Sequence, residues 1–108
     1  MNISKFTQKS VEAVQGCEKL AYEYGNQQID QEHLLLALLQ VDDSLTLKLV
    51  TKMGISGEQF VNEVKQAVEK LPKVSGGQVY CSGDANKALV SAEEEAKAMG
   101  DEYVSVEH

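Results

Sequence analysis

The sequence has no arginine, no tryptophan, one proline and two cysteines in 108 residues. Without arginine it lacks the planar fork that grips phosphate or carboxylate with two parallel hydrogen bonds. Ten lysines stand against seventeen acidic residues, a formal net charge of −7. No cluster of cations is available to follow a phosphate backbone, which argues against a nucleic-acid partner. The N-terminal stretch Asn2, Ser4, Lys5, Thr7, Gln8, Lys9 contains no apolar h-region, so nothing there resembles a signal peptide. The longest apolar run, Leu34 to Leu39, is far too short to span a bilayer, and no membrane partner is expected. Cys17 and Cys81 are isolated, which suits a reducing, cytoplasmic setting.

Catalytic patterns are missing as well. Gly76-Gly77 is followed by Gln-Val-Tyr and cannot cradle a phosphate. Glu32-His33 and Glu107-His108 suggest metal ligands, yet neither has a second histidine four residues away. Both histidines fall three residues after a helix cap, so they read as structural helix starts. No enzyme activity, metal or cofactor is expected of this chain.

What is present is a repeat. At an offset of 75 residues, Ala13 falls on Ala88, Glu18 on Glu93, Ala21 on Ala96, Gly25 on Gly100, Glu32 on Glu107 and His33 on His108. Thr7 falls on Ser82, Val14 on Leu89 and Ile29 on Val104. The first copy continues into Leu34 to Leu39, whereas the second ends at His108. Repeat units often need each other to bury their apolar faces. The chain is therefore expected to stop just after the start of a sixth helix, leaving repeat two incomplete.

The periodicity predicts an all-α chain of one domain, residues 1–108. Repeat one covers about 1–71, a connector about 72–81, and repeat two about 82–108. Val11, Val14, Cys17, Ala21 and Tyr24 mark one face of a first helix over about 7–24, with Thr7 as N-cap and Gly25 as its stop. Cys17 on that face reads as a buried thiol. Asp30 caps a second helix from Gln31 to about Val41, apolar on all sides and so central. Ile29 is expected to pack back on it as a hydrophobic staple. A third helix spans about 45–52, with Leu45, Leu49 and Val50 facing inward and Met53 just beyond. A fourth runs from the Ser56 cap to Pro72. Residues 72–81, with Gly76-Gly77, read as a flexible connector. Ser82 caps a fifth helix over about 83–99, whose Ala85-Leu89-Ala92-Ala96 stripe lacks an intrachain lid. That stripe is expected to pack onto repeat one, pair with a second copy or swap helices. Residues 82–108 hold seven acids and two lysines, and Glu93-Glu94-Glu95 reads as a solvated outer face or an attractor for basic or unfolded polypeptide.

The segments Asn2–Ser10, Tyr24–Leu39, Leu71–Gly77 and Gly100–His108 resemble the N-terminal domain of the bacterial Hsp100 disaggregases, Clp-family AAA+ chaperones. Related Clp unfoldases share the Glu-His-Leu-Leu pattern, but the Leu-Pro-Lys-Val-Ser-Gly-Gly connector fits the disaggregases better. The resemblance implies a Clp N-terminal fold of two pseudo-symmetric four-helix repeats. It implies a non-catalytic domain that contacts aggregated or unfolded polypeptides and helps deliver them to an AAA+ ring. For the full-length protein it implies ATP and magnesium as cofactors, a homohexamer, a middle coiled coil and cooperation with DnaK-type chaperones. By the same resemblance Thr7, Asp101 and Glu107 are substrate contacts. Ser91 and Glu95 stand where some family members place groove leucines, which weakens an apolar groove there. The alternative is an adaptor-docking or assembly domain of a related Clp unfoldase.

Overall fold

The computed structural model describes residues 3–74 and 76–108. Helix α1 (Gln8–Tyr24) begins where Thr7, in extended conformation, turns its hydroxyl back to the Ser10 amide. It ends where Gly25 takes φ +73, a conformation any Cβ would strain. Its inner face buries Ala13, Cys17, Leu20 and Ala21, at the three- and four-residue spacing of one helical face. Burial pushes the Cys17 thiol up to about 12, so it is inert packing material.

The strand β1 (Gln28–Ile29) leads into α2 (Gln31–Gln40), the central helix. Leu36 and His33 on α2 are fully buried, and the helix packs against α1 and against the three helices that follow. Ser44 caps α3 (Leu45–Lys52) by accepting from the Leu47 amide at 3.1 Å, and it donates to the Leu38 carbonyl at 2.6 Å. Helix α4 (Gly57–Glu69) closes repeat one with Val64 and Val68 in the core. After β2 (Tyr80–Cys81), Ser82 caps α5 (Gly83–Ala98), accepting from the Ala85 amide at 3.1 Å. Gly100 repeats the left-handed stop with φ +75.

Three features differ from the sequence expectation. First, β1 and β2 pair in parallel, Gln28 with Tyr80 and Ile29 with Cys81. Ile29 is therefore buried as a strand residue that joins the two repeats, as well as lying at the entry to α2. A second parallel bridge joins Phe6 to Val104. Under the 75-residue offset Phe6 becomes Cys81 and Ile29 becomes Val104, so the two pairings are one pairing exchanged between repeats. Second, the connector is tied down at both ends. Val74 donates to the Gly25 carbonyl at 2.9 Å, Lys73 Nζ to the Tyr24 carbonyl at 2.9 Å, and the Tyr80 amide to the Gln27 carbonyl at 3.0 Å. Ser75, within that connector, lies outside the described residues. Third, Leu45, Leu49 and Met53 are exposed, because only Val50 of α3 is buried and Leu47 packs on the core beside it.

The α5 stripe packs onto repeat one through α2. Ala85 and Ala96 are buried, and Leu89 and Ala92 are half-buried.

Because Leu36 is fully enclosed, Leu36→Ala leaves a cavity at the centre and is expected to lose about 3 kcal/mol of stability in urea denaturation. Leu49→Ala, at a half-exposed site, should change stability by no more than about 0.5 kcal/mol.

Candidate functional site

Each repeat builds the start of its second helix, or helical turn, on a buried histidine. In repeat one the Asp30 amide donates to His33 Nδ1 at 2.9 Å. An imidazole nitrogen that accepts an N–H carries no proton, so the proton sits on Nε2. Nε2–H then donates to Asn26 Oδ1 at 2.9 Å. Burial holds the His33 pKa below its ordinary value, against the weaker opposing pull of Asp30 and Glu32.

Repeat two uses the same geometry. The Ser105 amide donates to His108 Nδ1 at 2.9 Å, and Nε2–H donates to Asp101 Oδ2 at 2.7 Å. The His108 side chain is 1% exposed, whereas that of Asp101 is 47% exposed. Glu107 lies exposed in the same turn, which closes through the His108 amide on the Ser105 carbonyl at 3.0 Å.

The structure brings Thr7 to this turn. Its amide donates to the Val104 carbonyl at 2.9 Å, and Val104 in turn donates to the Lys5 carbonyl at 2.7 Å. Val104 lies three residues from Asp101 and three from Glu107. Thr7, Asp101 and Glu107 thus surround one junction between the start of α1 and the turn after α5.

The two histidine turns differ in cover. In repeat one Asn26 is buried, its amide nitrogen donates to the Pro72 carbonyl at 3.0 Å, and Val74 hydrogen-bonds Gly25. The connector lies across it. In repeat two, Asp101, Glu102, Tyr103 and Glu107 are exposed.

A groove of about 210 Å³ also opens between repeat one and α5. Val14, Leu34 and Leu38 face Ala88, Leu89 and Ala92 across it, with Val106 and His108 also in its wall. The sequence showed the α5 half of this groove as a stripe. It did not show the facing half, because α1 and α2 residues there have helical spacing with no mark of what they face. Ser91 and Glu95 are exposed on α5, and neither is in the groove wall. Among the described residues no cluster of three or more His, Cys, Asp or Glu could hold a metal ion. None of their helices is long and apolar enough to cross a membrane.

The family profile of the Clp repeat (R) N-terminal domain matches residues 5–108. The chain belongs to that family. As a Clp N-terminal domain it is 42% identical over its whole length to the chaperone protein ClpB of Bacteroides thetaiotaomicron and 44% identical to that of Porphyromonas gingivalis. It spans only 12% of the length of each of these relatives. The Hsp104 N-terminal domain from Candida albicans superposes with a TM-score of 0.85 at 23% identity, over 95% of this chain and 69% of that one. The N-terminal domain of ClpD from Arabidopsis thaliana gives 0.72 at 22% identity, over 99% of this chain and 75% of that one. The all-α Clp N-terminal fold follows from these likenesses. The 108 residues form a Clp N-terminal domain and match that part of the ClpB chaperones.

The Clp turn also has a pH signature. Above the ordinary histidine value of 6.5, His33 is neutral folded and unfolded, and its contribution is complete. Below 6.5 the unfolded chain takes up a proton that the folded ring, with its lowered pKa, refuses, so stability falls with pH. Urea denaturation at pH 7.5 and 5.5 should show this loss in the parent and a smaller one in His33→Gln, which has no imidazole at position 33.

Proposed function

We propose that this Clp domain binds polypeptide without catalysing a reaction, and that the repeat-two turn at the start of α1 carries the contact. The observation behind this reading is the meeting of the repeat-two turn with the start of α1. That turn presents Asp101 and Glu107 beside Thr7, whose amide it accepts through Val104. Exposed carboxylates beside a helix start suit the cationic side chains and free backbone amides of an unfolded chain. The acidic outer face of α5, with Glu93, Glu94 and Glu95 all exposed, extends the same charge.

In the full-length protein the domain would receive unfolded or aggregated polypeptides and help deliver them to an AAA+ ring. That ring would be a cytoplasmic homohexamer driven by ATP and magnesium and assisted by a DnaK-type chaperone system. The likeness to ClpB chaperones supports this wider role. Docking of a folded adaptor, as in related Clp unfoldases, is the competing reading.

Titration of the full-length protein with fluorescein-labelled casein, an unfolded polypeptide, and with a folded control separates the two. Binding of casein should be salt-sensitive and weaken by about threefold in Glu107→Ala at unchanged melting temperature. Binding confined to one folded partner would leave adaptor docking as the function.

A further inference from the structure

Within that contact surface the three residues are not equivalent. Thr7 is already engaged on both sides of its hydroxyl. Ser10 Oγ gives its single proton to the Val104 carbonyl at 2.9 Å. In the 3.0 Å contact between the two hydroxyls Thr7 must therefore be the donor. Its oxygen also accepts the Ser10 amide at 3.4 Å. The Thr7 side chain is thus the first member of a relay that ends on Val104, inside the junction.

Asp101 is engaged as well. One carboxylate oxygen takes the Nε2 proton of His108, whose ring lies under the turn, 1% exposed. Repeat one shows that this seat needs a hydrogen-bond acceptor and no charge, because Asn26 fills it with an amide oxygen at 2.9 Å. Glu107 is different. It is exposed between the two anchors, and its repeat-one partner Glu32 is half-buried.

We infer that Thr7 and Asp101 are positioning residues, which pin the Val104–His108 turn from two sides and so aim Glu107 at the bound polypeptide. This rests on the reading that the surface binds polypeptide. It assigns the direct charged contact to Glu107 and an indirect, geometric role to the other two. The relay fixes the carbonyl of Val104, and the His108–Asp101 bond fixes the far end of the same turn. A turn held at both ends leaves the intervening side chain few orientations, and pre-ordering a contact residue strengthens binding without adding a contact.

The test uses the full-length protein and fluorescein-labelled casein, with conservative and disruptive variants in parallel. Asp101→Asn rebuilds the repeat-one pairing and should bind within about twofold of the parent, with parental salt dependence. Asp101→Ala removes the acceptor and should weaken binding by up to about threefold, the loss expected of Glu107→Ala. Thr7→Ser keeps the relay and should stay near the parent, whereas Thr7→Val should fall with Asp101→Ala. The ¹⁵N chemical shifts of the His108 ring report the seat directly. They should keep the Nε2–H pattern in Asp101→Asn and lose it in Asp101→Ala. Glu107→Gln should weaken binding and reduce its salt dependence.

Equal loss in Asp101→Asn and Asp101→Ala would overturn the inference, because the carboxylate itself would then be the contact. Parental binding by both Asp101→Ala and Thr7→Val, with Glu107→Gln still impaired, would also overturn it while leaving the polypeptide-binding surface in place. If Asp101→Ala does not fold, Asp101→Asn decides alone: parental affinity supports the positioning role and lost affinity removes it. Absence of casein binding by the parent would instead refute the underlying function.

Discussion

The fold depends on an exchange of backbone hydrogen bonds between the two repeats. Each first helix starts on an N-cap residue whose own amide cannot be satisfied within its helix. Thr7 gives its amide to Val104 and Ser82 gives its amide to Ile29, both at 2.9 Å. The acceptors are the turn residues of the opposite repeat, and both are buried. A buried N–H without a partner costs on the order of 1–3 kcal/mol, so each repeat completes a helix start that the other cannot complete alone. This ties the entry of α1 to the turn after α5, and the entry of α5 to the turn after α1. Contacts across the pseudo-twofold follow from that constraint, including the packing of α5 on α2.

The histidines solve a second problem created by the same short turns. Chain leaving Gly25 or Gly100 must reverse and begin again within five residues. The amide after each glycine returns to its helix, Asn26 to Ala21 and Asp101 to Ala96, both at 2.8 Å. The imidazole then spans from the next helix start to the side chain of that same residue. One ring nitrogen accepts and the other donates, so a bulky polar group is buried with both positions occupied. Among the described residues no buried side-chain nitrogen or oxygen lacks a partner. A lysine or glutamine could reach either end of this span, but neither could hold both with a rigid ring.

Much of this was legible in the sequence. Thr7, Ser56 and Ser82 act as caps because a short hydroxyl side chain before an apolar period has one favourable use. Gly25 and its repeat equivalent Gly100 stop helices because only glycine enters the left-handed region freely. The repeat placed His33 and His108 at equivalent helix starts, although their tautomers and partners needed coordinates. Strands of two residues were not legible, since two positions carry no alternation. The ties at the two ends of the connector were not legible for a related reason. Val74 and Tyr80 donate through backbone amides, and Lys73 Nζ ends on a backbone carbonyl, groups that leave no trace in residue type. Outward-facing Leu45 and Leu49 were also beyond reach. Their spacing is that of an inner face, and whether a face is inner depends on what packs over it. Thr7, Asp101 and Glu107 came forward only through family resemblance, because a capping threonine and two acids at helix ends look ordinary by periodicity.

A duplicated backbone separates holding the fold from presenting a surface. The two turns share their hydrogen-bond geometry, so the change from Asn26 to Asp101 leaves the histidine seat intact. What changes is the setting. Pro72 and Val74 hydrogen-bond across the first turn, where a buried carboxylate would lose hydration and face a carbonyl oxygen. An amide suits that place because its NH₂ donates to Pro72 while its oxygen accepts from His33. In the second turn the Asp101 side chain is half exposed, so a charge can stand there in water. Residues 82–108 carry −5 of the chain's −7 charge, seven acids against two lysines. The chemistry that repeat one cannot accommodate is thus concentrated in repeat two, on a backbone whose geometry the first repeat has already shown to be sound.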